Sequence, residues 1–127
     1  MLNILLASPD KTSMAALKAG LEQDEVQTTR VETGGEALSM IAERDFDLVV
    51  TDENLGDMTG LEFVKTVITQ KPMVNCAVVS ALLPDDFHEA SEGLGILMQL
   101  PARPGSEYAI ELLEHLRSIL NPGIETS

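Results

Sequence analysis

Asp52 closes an apolar run, Asp47-Leu48-Val49-Val50-Thr51-Asp52, and the turn Asn54-Leu55-Gly56-Asp57-Met58-Thr59-Gly60 follows it directly. A carboxylate at the end of a buried parallel strand, beside a loop, sits where open α/β sheets place their chemistry. Aspartate is also a common turn-former after any strand, so on this residue alone both readings stand. The other reactive side chains carry less. Cys76, the single cysteine, lies in Pro72-Met73-Val74-Asn75-Cys76-Ala77-Val78-Val79 with no base near it in sequence, and reads as a small hydrophobe. His88 and His115 are far apart and lack ligand spacing, which suits surface histidines. Glu111, Glu114 and Arg117 read as a solvated helix face. Gly93-Leu94-Gly95 reads as a turn, because no phosphate-loop pattern surrounds it. No Gly-x-Ser-x-Gly or P-loop motif supports a hydrolase or NTPase.

The elements that must position Asp52 are legible from hydropathy. Five apolar runs, Leu2–Ala7, Val26–Val31, Leu48–Thr51, Val74–Val79 and Ile96–Gln99, alternate with amphipathic segments. Four are nearly continuous, as expected of strands covered on both faces; the second is more polar and belongs at an edge. Helical stripes run through Met14, Leu17 and Leu21; Ala37, Leu38, Ile41 and Ala42; Leu61, Val64, Val67 and Ile68; and Ala109, Leu112, Leu113, Leu116, Ile119 and Leu120. A weaker helix around Pro84–Glu92 has Phe87 and Ala90 as anchors. Ser8-Pro9-Asp10 offers a helix N-cap, a proline at the first helical position and an acid at the positive end of the dipole. Thr33-Gly34-Gly35-Glu36 matches a capping box, and Asn121-Pro122-Gly123 stops the last helix. The pattern predicts an α/β fold: a flavodoxin-like, doubly wound five-stranded parallel sheet, order 2-1-3-4-5, with about five helices. That order opens a crevice at the carboxyl ends of strands 1 and 3, with Asp52 in it. One domain is expected over residues 1–121, followed by a C-terminal tail over residues 122–127.

Composition narrows the partners. The 127 residues are 44% hydrophobic, enough for a globular domain that buries roughly two-thirds of its unfolded surface. A net charge of −13, with eight scattered basic residues, argues against nucleic acid and anionic membranes. The opening Met1-Leu2-Asn3-Ile4-Leu5-Leu6 lacks a basic region and is too short for a signal peptide, and no stretch approaches a membrane span. A reducing cytoplasm is the expectation.

The chain resembles the receiver domain of two-component response regulators over essentially its full length. The resemblance rests on Asp47-Leu48-Val49-Val50-Thr51-Asp52-Glu53-Asn54 with Gly56-Asp57-Met58-Thr59-Gly60-Leu61-Glu62, on Val78-Val79-Ser80-Ala81, and on Leu100-Pro101. It implies that Asp52 is the phospho-acceptor and that the Asn54 backbone carbonyl is a magnesium ligand. It also implies that Ser80 is the switch hydroxyl, and that Leu100-Pro101 stands where the family has Lys-Pro with a cis peptide bond. A histidine kinase or a downstream effector is the implied partner, docking on helix 4, strand 5 and helix 5; a homodimer is compatible. No enzyme activity is implied beyond self-phosphorylation and dephosphorylation at Asp52.

Three features depart from the family pattern. Ser8 and Pro9 stand in place of the acid pair after strand 1, Leu100 in place of the lysine, and Leu97 in place of the switch aromatic. Asp10 is acidic but one place late. Magnesium needs oxygen ligands and countercharge, and each lost close carboxylate removes ~4 kcal/mol of Coulomb energy at intermediate dielectric. The expectation is therefore no cofactor, with magnesium weak at Asp52, Asn54 and Asp10, and impaired phosphorylation. The alternative is a working phospho-acceptor in which Ser80 holds a phosphate oxygen and Asp10 partly replaces the missing acids. A third class, a small-ligand or enzymatic flavodoxin-like domain, requires a pocket at the strand ends on which polar groups converge.

Overall fold

The computed structural model describes residues 1–23 and 25–120. Strands β1 (Leu2–Ala7), β2 (Val26–Val31), β3 (Leu48–Thr51), β4 (Asn75–Val79) and β5 (Met98–Leu100) form one parallel sheet in the order β2-β1-β3-β4-β5. Five helices connect and follow them: α1 (Ala15–Leu21), α2 (Gly34–Glu43), α3 (Gly60–Gln70), α4 (Pro84–Ala90) and α5 (Ser106–Leu120). This is the flavodoxin-like, doubly wound arrangement that the alternation of runs predicts.

Successive strand residues point to opposite faces, so each apolar run feeds two cores. Ile4, Leu6, Leu48, Val50, Ala77 and Val79 pack against Leu17, Leu21, Leu112 and Leu116 of α1 and α5. Leu5, Ala7, Val49, Cys76 and Val78 pack against Ile41 of α2 and Phe63, Val64 and Val67 of α3. Both faces are covered, which is why the three central strands read as unbroken hydrophobic runs. β2 lies at the edge, and only Val31 of its residues is fully buried. Burial pushes the Cys76 thiol up to about 12, so it stays protonated and inert as a core hydrophobe should.

Several boundaries differ from the expectation. β5 begins at Met98, because only Met98–Leu100 find register with Ala77–Val79; Ile96 and Leu97 are half-buried in the approach to it. β4 begins at Asn75, one residue late. Ala90 is exposed, leaving Phe87 as the one buried residue of α4. Ala42, Ile119 and Leu120 are exposed as well, so the α5 stripe ends at Leu116. Helix α1 starts at Ala15 after a turn over residues 11–14, and its N-cap Met14 makes no side-chain cap. Thr33 does cap α2, accepting from Glu36 N, but Glu36 Oε1 reaches Glu32 N and not the Thr33 amide. The complete capping box is at α3, between Thr59 and Glu62. Asn121-Pro122-Gly123 and the tail over residues 122–127 lie outside the described residues.

Candidate functional site

The carboxyl ends of β1, β3 and β4 meet at Asp52. The Asp52 amide donates to Ala7 O at 2.9 Å, carrying the β1–β3 ladder one residue past Thr51. The turn after it is closed by Gly60 N on Glu53 O, Leu55 N on Met58 O, and Gly56 N on Asn54 Oδ1, each at 2.9 Å. Asn54 and Thr59 pair as an antiparallel bridge inside this turn. The first turn of α3 thereby lies against the Asp52 carbonyl, and a Cβ on Gly60 would collide with that oxygen. Backbone cannot yield as a flexible side chain does. Gly60→Ala is expected to lower stability by about 1–3 kcal/mol in chemical denaturation, as overpacking does.

Asp52 is held by hydroxyls and one amide. Its Oδ2 accepts from Ser8 Oγ at 2.8 Å and from Ser13 Oγ at 3.1 Å; its Oδ1 accepts from Glu53 N at 2.9 Å. Ser8 is fully buried, and its oxygen also accepts from Asp10 N at 3.2 Å. Ser8 is therefore not the N-cap expected from its Pro9-Asp10 neighbours; its hydroxyl serves the aspartate across the sheet. No ion pair involves Asp52 among the described residues. Arg30, on β2, donates from Nη2 to Ser8 O at 3.0 Å and so holds the loop backbone.

Asp10 does not join Asp52. Its Oδ1 accepts from Thr12 N at 2.9 Å and Thr12 Oγ1 at 2.8 Å, and Arg103 Nη2 stands 3.9 Å from Oδ2. The Thr12 amide first, then the Thr12 hydroxyl, with Arg103 adding to them, hold this carboxyl below its usual range. Among the described residues, no three His, Cys, Asp or Glu side chains group as metal ligands would.

Glu53 turns the other way, toward β4. Its Oε2 accepts from Ala81 N at 3.0 Å and from Ser80 Oγ at 3.3 Å. Ser80 is buried, and its hydroxyl in turn accepts from Leu82 N at 3.2 Å. Gln99 Nε2 on β5 donates to Leu82 O at 2.8 Å and Ser80 O at 3.2 Å. Leu100 ends β5 with its side chain fully buried in the α1/α5 core, and half-buried Leu97 packs on the same core. No cis peptide bond occurs among the described residues, Leu100-Pro101 included. His88 and His115 are exposed on α4 and α5.

Asp57 anchors the turn to α2: Gly34 N and Gly35 N donate to its two carboxylate oxygens at 2.9 Å each. These amides, Gly34 first, hold its carboxyl below the usual range. A depressed folded pKa contributes stability above the unfolded value that is lost as pH falls through the folded one. Asp57→Asn is expected to melt below the wild type at neutral pH, with the gap narrowing as the pH falls below the ordinary aspartate range.

Sequence reasoning named Asp52, Asn54 and Ser80 as candidates but passed over Ser13, Glu53, Asp57 and Gln99, whose side chains bond into this region. Glu53 carried a signal: adjacent acids at a strand end point to opposite sides. Ser13 carried none, because only the turn over residues 11–14 brings it to Asp52.

The response regulator receiver domain model matches residues 4–103, and the chain belongs to that family. Among solved structures, the chemotaxis response regulator CheY4 of Vibrio cholerae is 20% identical with a TM-score of 0.80, covering 91% of this chain and 98% of that one. A two-component response regulator from Clostridium difficile is 18% identical with a TM-score of 0.82, covering 95% and 99%. A CheY-like receiver domain protein from Methanospirillum hungatei JF-1 is 22% identical with a TM-score of 0.81, covering 93% and 95%. At these identities the likeness is one of fold. Among curated proteins, none matches this chain. No described helix is long and apolar enough to cross a membrane.

Proposed function

We propose that this receiver domain signals from the cytoplasm by docking to a protein partner, a histidine kinase or a downstream effector, with magnesium-dependent phosphorylation of Asp52 impaired. The observation that carries the proposal is the set of groups around Asp52: two serine hydroxyls and one amide, and no cation. An octahedral hard cation requires several oxygens with matching negative charge. Asp52 and the Asn54 carbonyl supply one carboxylate between them, Asp10 is committed to Thr12, and Pro9 has no ligand to offer. These residues do not fit magnesium.

Phosphoryl transfer to a carboxylate works through positioning and stabilisation of the equatorial oxygens by positive charge. Where the family places a lysine, Leu100 is buried among hydrophobic side chains. The losses match: acids without the lysine repel one another, and a lysine without the acids lacks partners. The alternative, phosphorylation of Asp52 by a histidine kinase, has in its favour the placement of Asp52 and Ser80 at the ends of adjacent strands. Intact mass after incubation with magnesium and acetyl phosphate separates the two. The unmodified mass is expected; an added phosphoryl group that disappears in Asp52→Asn supports the alternative.

A further inference from the structure

The Glu53 carboxylate sits in an unusual place for an acid in so acidic a chain. A single oxygen, Oε2, collects both donors that the start of the β4–α4 loop presents, Ala81 N at 3.0 Å and Ser80 Oγ at 3.3 Å. Ser80 can donate only one proton, and that proton is directed at Glu53, which leaves its oxygen free to accept from Leu82 N at 3.2 Å. The result is a relay, Leu82 N–H to Ser80 O–H to a carboxylate, in which each bond polarises the next. From the opposite side Gln99 Nε2 holds the carbonyls of Ser80 and Leu82. Three consecutive residues are thus fixed from both flanks by side chains of β5 and of the segment following β3.

We propose that Glu53 is a built-in anion that occupies the Ser80 hydroxyl and the Ala81 amide and fixes the β4–α4 loop in one arrangement, with no group added to Asp52. Leu82 and Leu83, 42% and 71% exposed, are held in place by this clamp at the start of α4. The proposal deepens the reading of Asp52 given above and rests on it for one consequence only. A phosphoryl group on Asp52 that reached for Ser80 would have to displace Glu53 from that hydroxyl, so without such a group the loop is already held. The clamp itself stands on the hydrogen bonds alone.

Amide hydrogen exchange tests it. Glu53 is exposed, so its replacement does not threaten folding. In Glu53→Ala the Ala81 and Leu82 amides are expected to exchange about tenfold faster than in the wild type, while the β4 amides keep their rates. Glu53→Gln retains an acceptor oxygen without the charge, and its rates are expected to fall between the two. Rates at Ala81 and Leu82 within about twofold of the wild type in Glu53→Ala would overturn the clamp. The mass experiment on the wild type decides the reading of Asp52 separately. Efficient phosphoryl uptake together with fast exchange in Glu53→Ala removes that reading and keeps the clamp; no uptake with unchanged exchange does the reverse.

Discussion

Ser8→Asp is expected to make the stability of this protein depend on magnesium. Ser8 Oγ lies 2.8 Å from Asp52 Oδ2 and is fully buried. A carboxylate there faces Asp52 at close range and removes one of its three donors. Two like charges ~4 Å apart repel by about 4 kcal/mol at an effective dielectric near 20. Without metal the variant is therefore expected to lose about 2–4 kcal/mol, after partial relaxation or protonation. Adding magnesium supplies the missing countercharge, and a ligand that binds only the folded state raises stability in proportion to RT ln(1 + [L]/Kd). Thermal melts with and without magnesium chloride read this out. The variant should gain a large fraction of its loss, while the wild type stays indifferent. A wild type that is itself stabilised as strongly as the variant contradicts the account.

Leu100→Lys is the converse experiment, and its effect is expected to be as large. Leu100 is fully buried among Ala77, Val79 and the residues of α1 and α5. An ammonium at this position leaves water without a carboxylate partner, and an unpaired buried charge costs about 3–5 kcal/mol. The penalty has a defined sign with pH. Burial lowers the folded pKa of the introduced lysine, so the unfolded chain binds the extra proton more readily. Stability should rise with pH, and the deficit should shrink as the medium approaches the ordinary lysine value of about 10. Denaturant midpoints at neutral and alkaline pH check this. A variant as stable as the wild type at neutral pH would mean that Asp52 already offers the lysine a partner. The pocket would then be poorer in ligands than in charge.

The contrast between what was legible in the chain and what was not follows from the range of the interactions. Strand and helix positions are periodic properties of neighbouring residues, and the order 2-1-3-4-5 follows from alternation and handedness. Even β2 at the edge was visible, since Gln27 and Arg30 interrupt its apolar run. Ser8 was misread because Ser-Pro-Asp is a strong local helix-start signal. A contact 44 residues away decided the matter, since the Asp52 carboxylate takes the hydroxyl. Asp10 is shaped by a local contact as well: Thr12 is two residues away and captures its carboxylate. Ile96 and Leu97 looked like strand because they are apolar, yet the ladder with β4 runs only from Met98, opposite Ala77, to Leu100, opposite Val79; Leu97 N donates to Cys76 O at 2.8 Å just before it begins. Asp57 reads as a turn residue in the sequence; its second role, holding the start of α2, appears only when residues 34 and 57 meet.

The charge around Asp52 is best measured by titrating magnesium into the wild type while following backbone amide resonances. The account predicts no saturable shifts grouped at Asp10, Asp52, Glu53 and Asn54, only the small uniform drift that salt produces on an acidic protein. Saturating shifts confined to those four residues, lost in Asp52→Asn, would show that the site holds the ion and would contradict it.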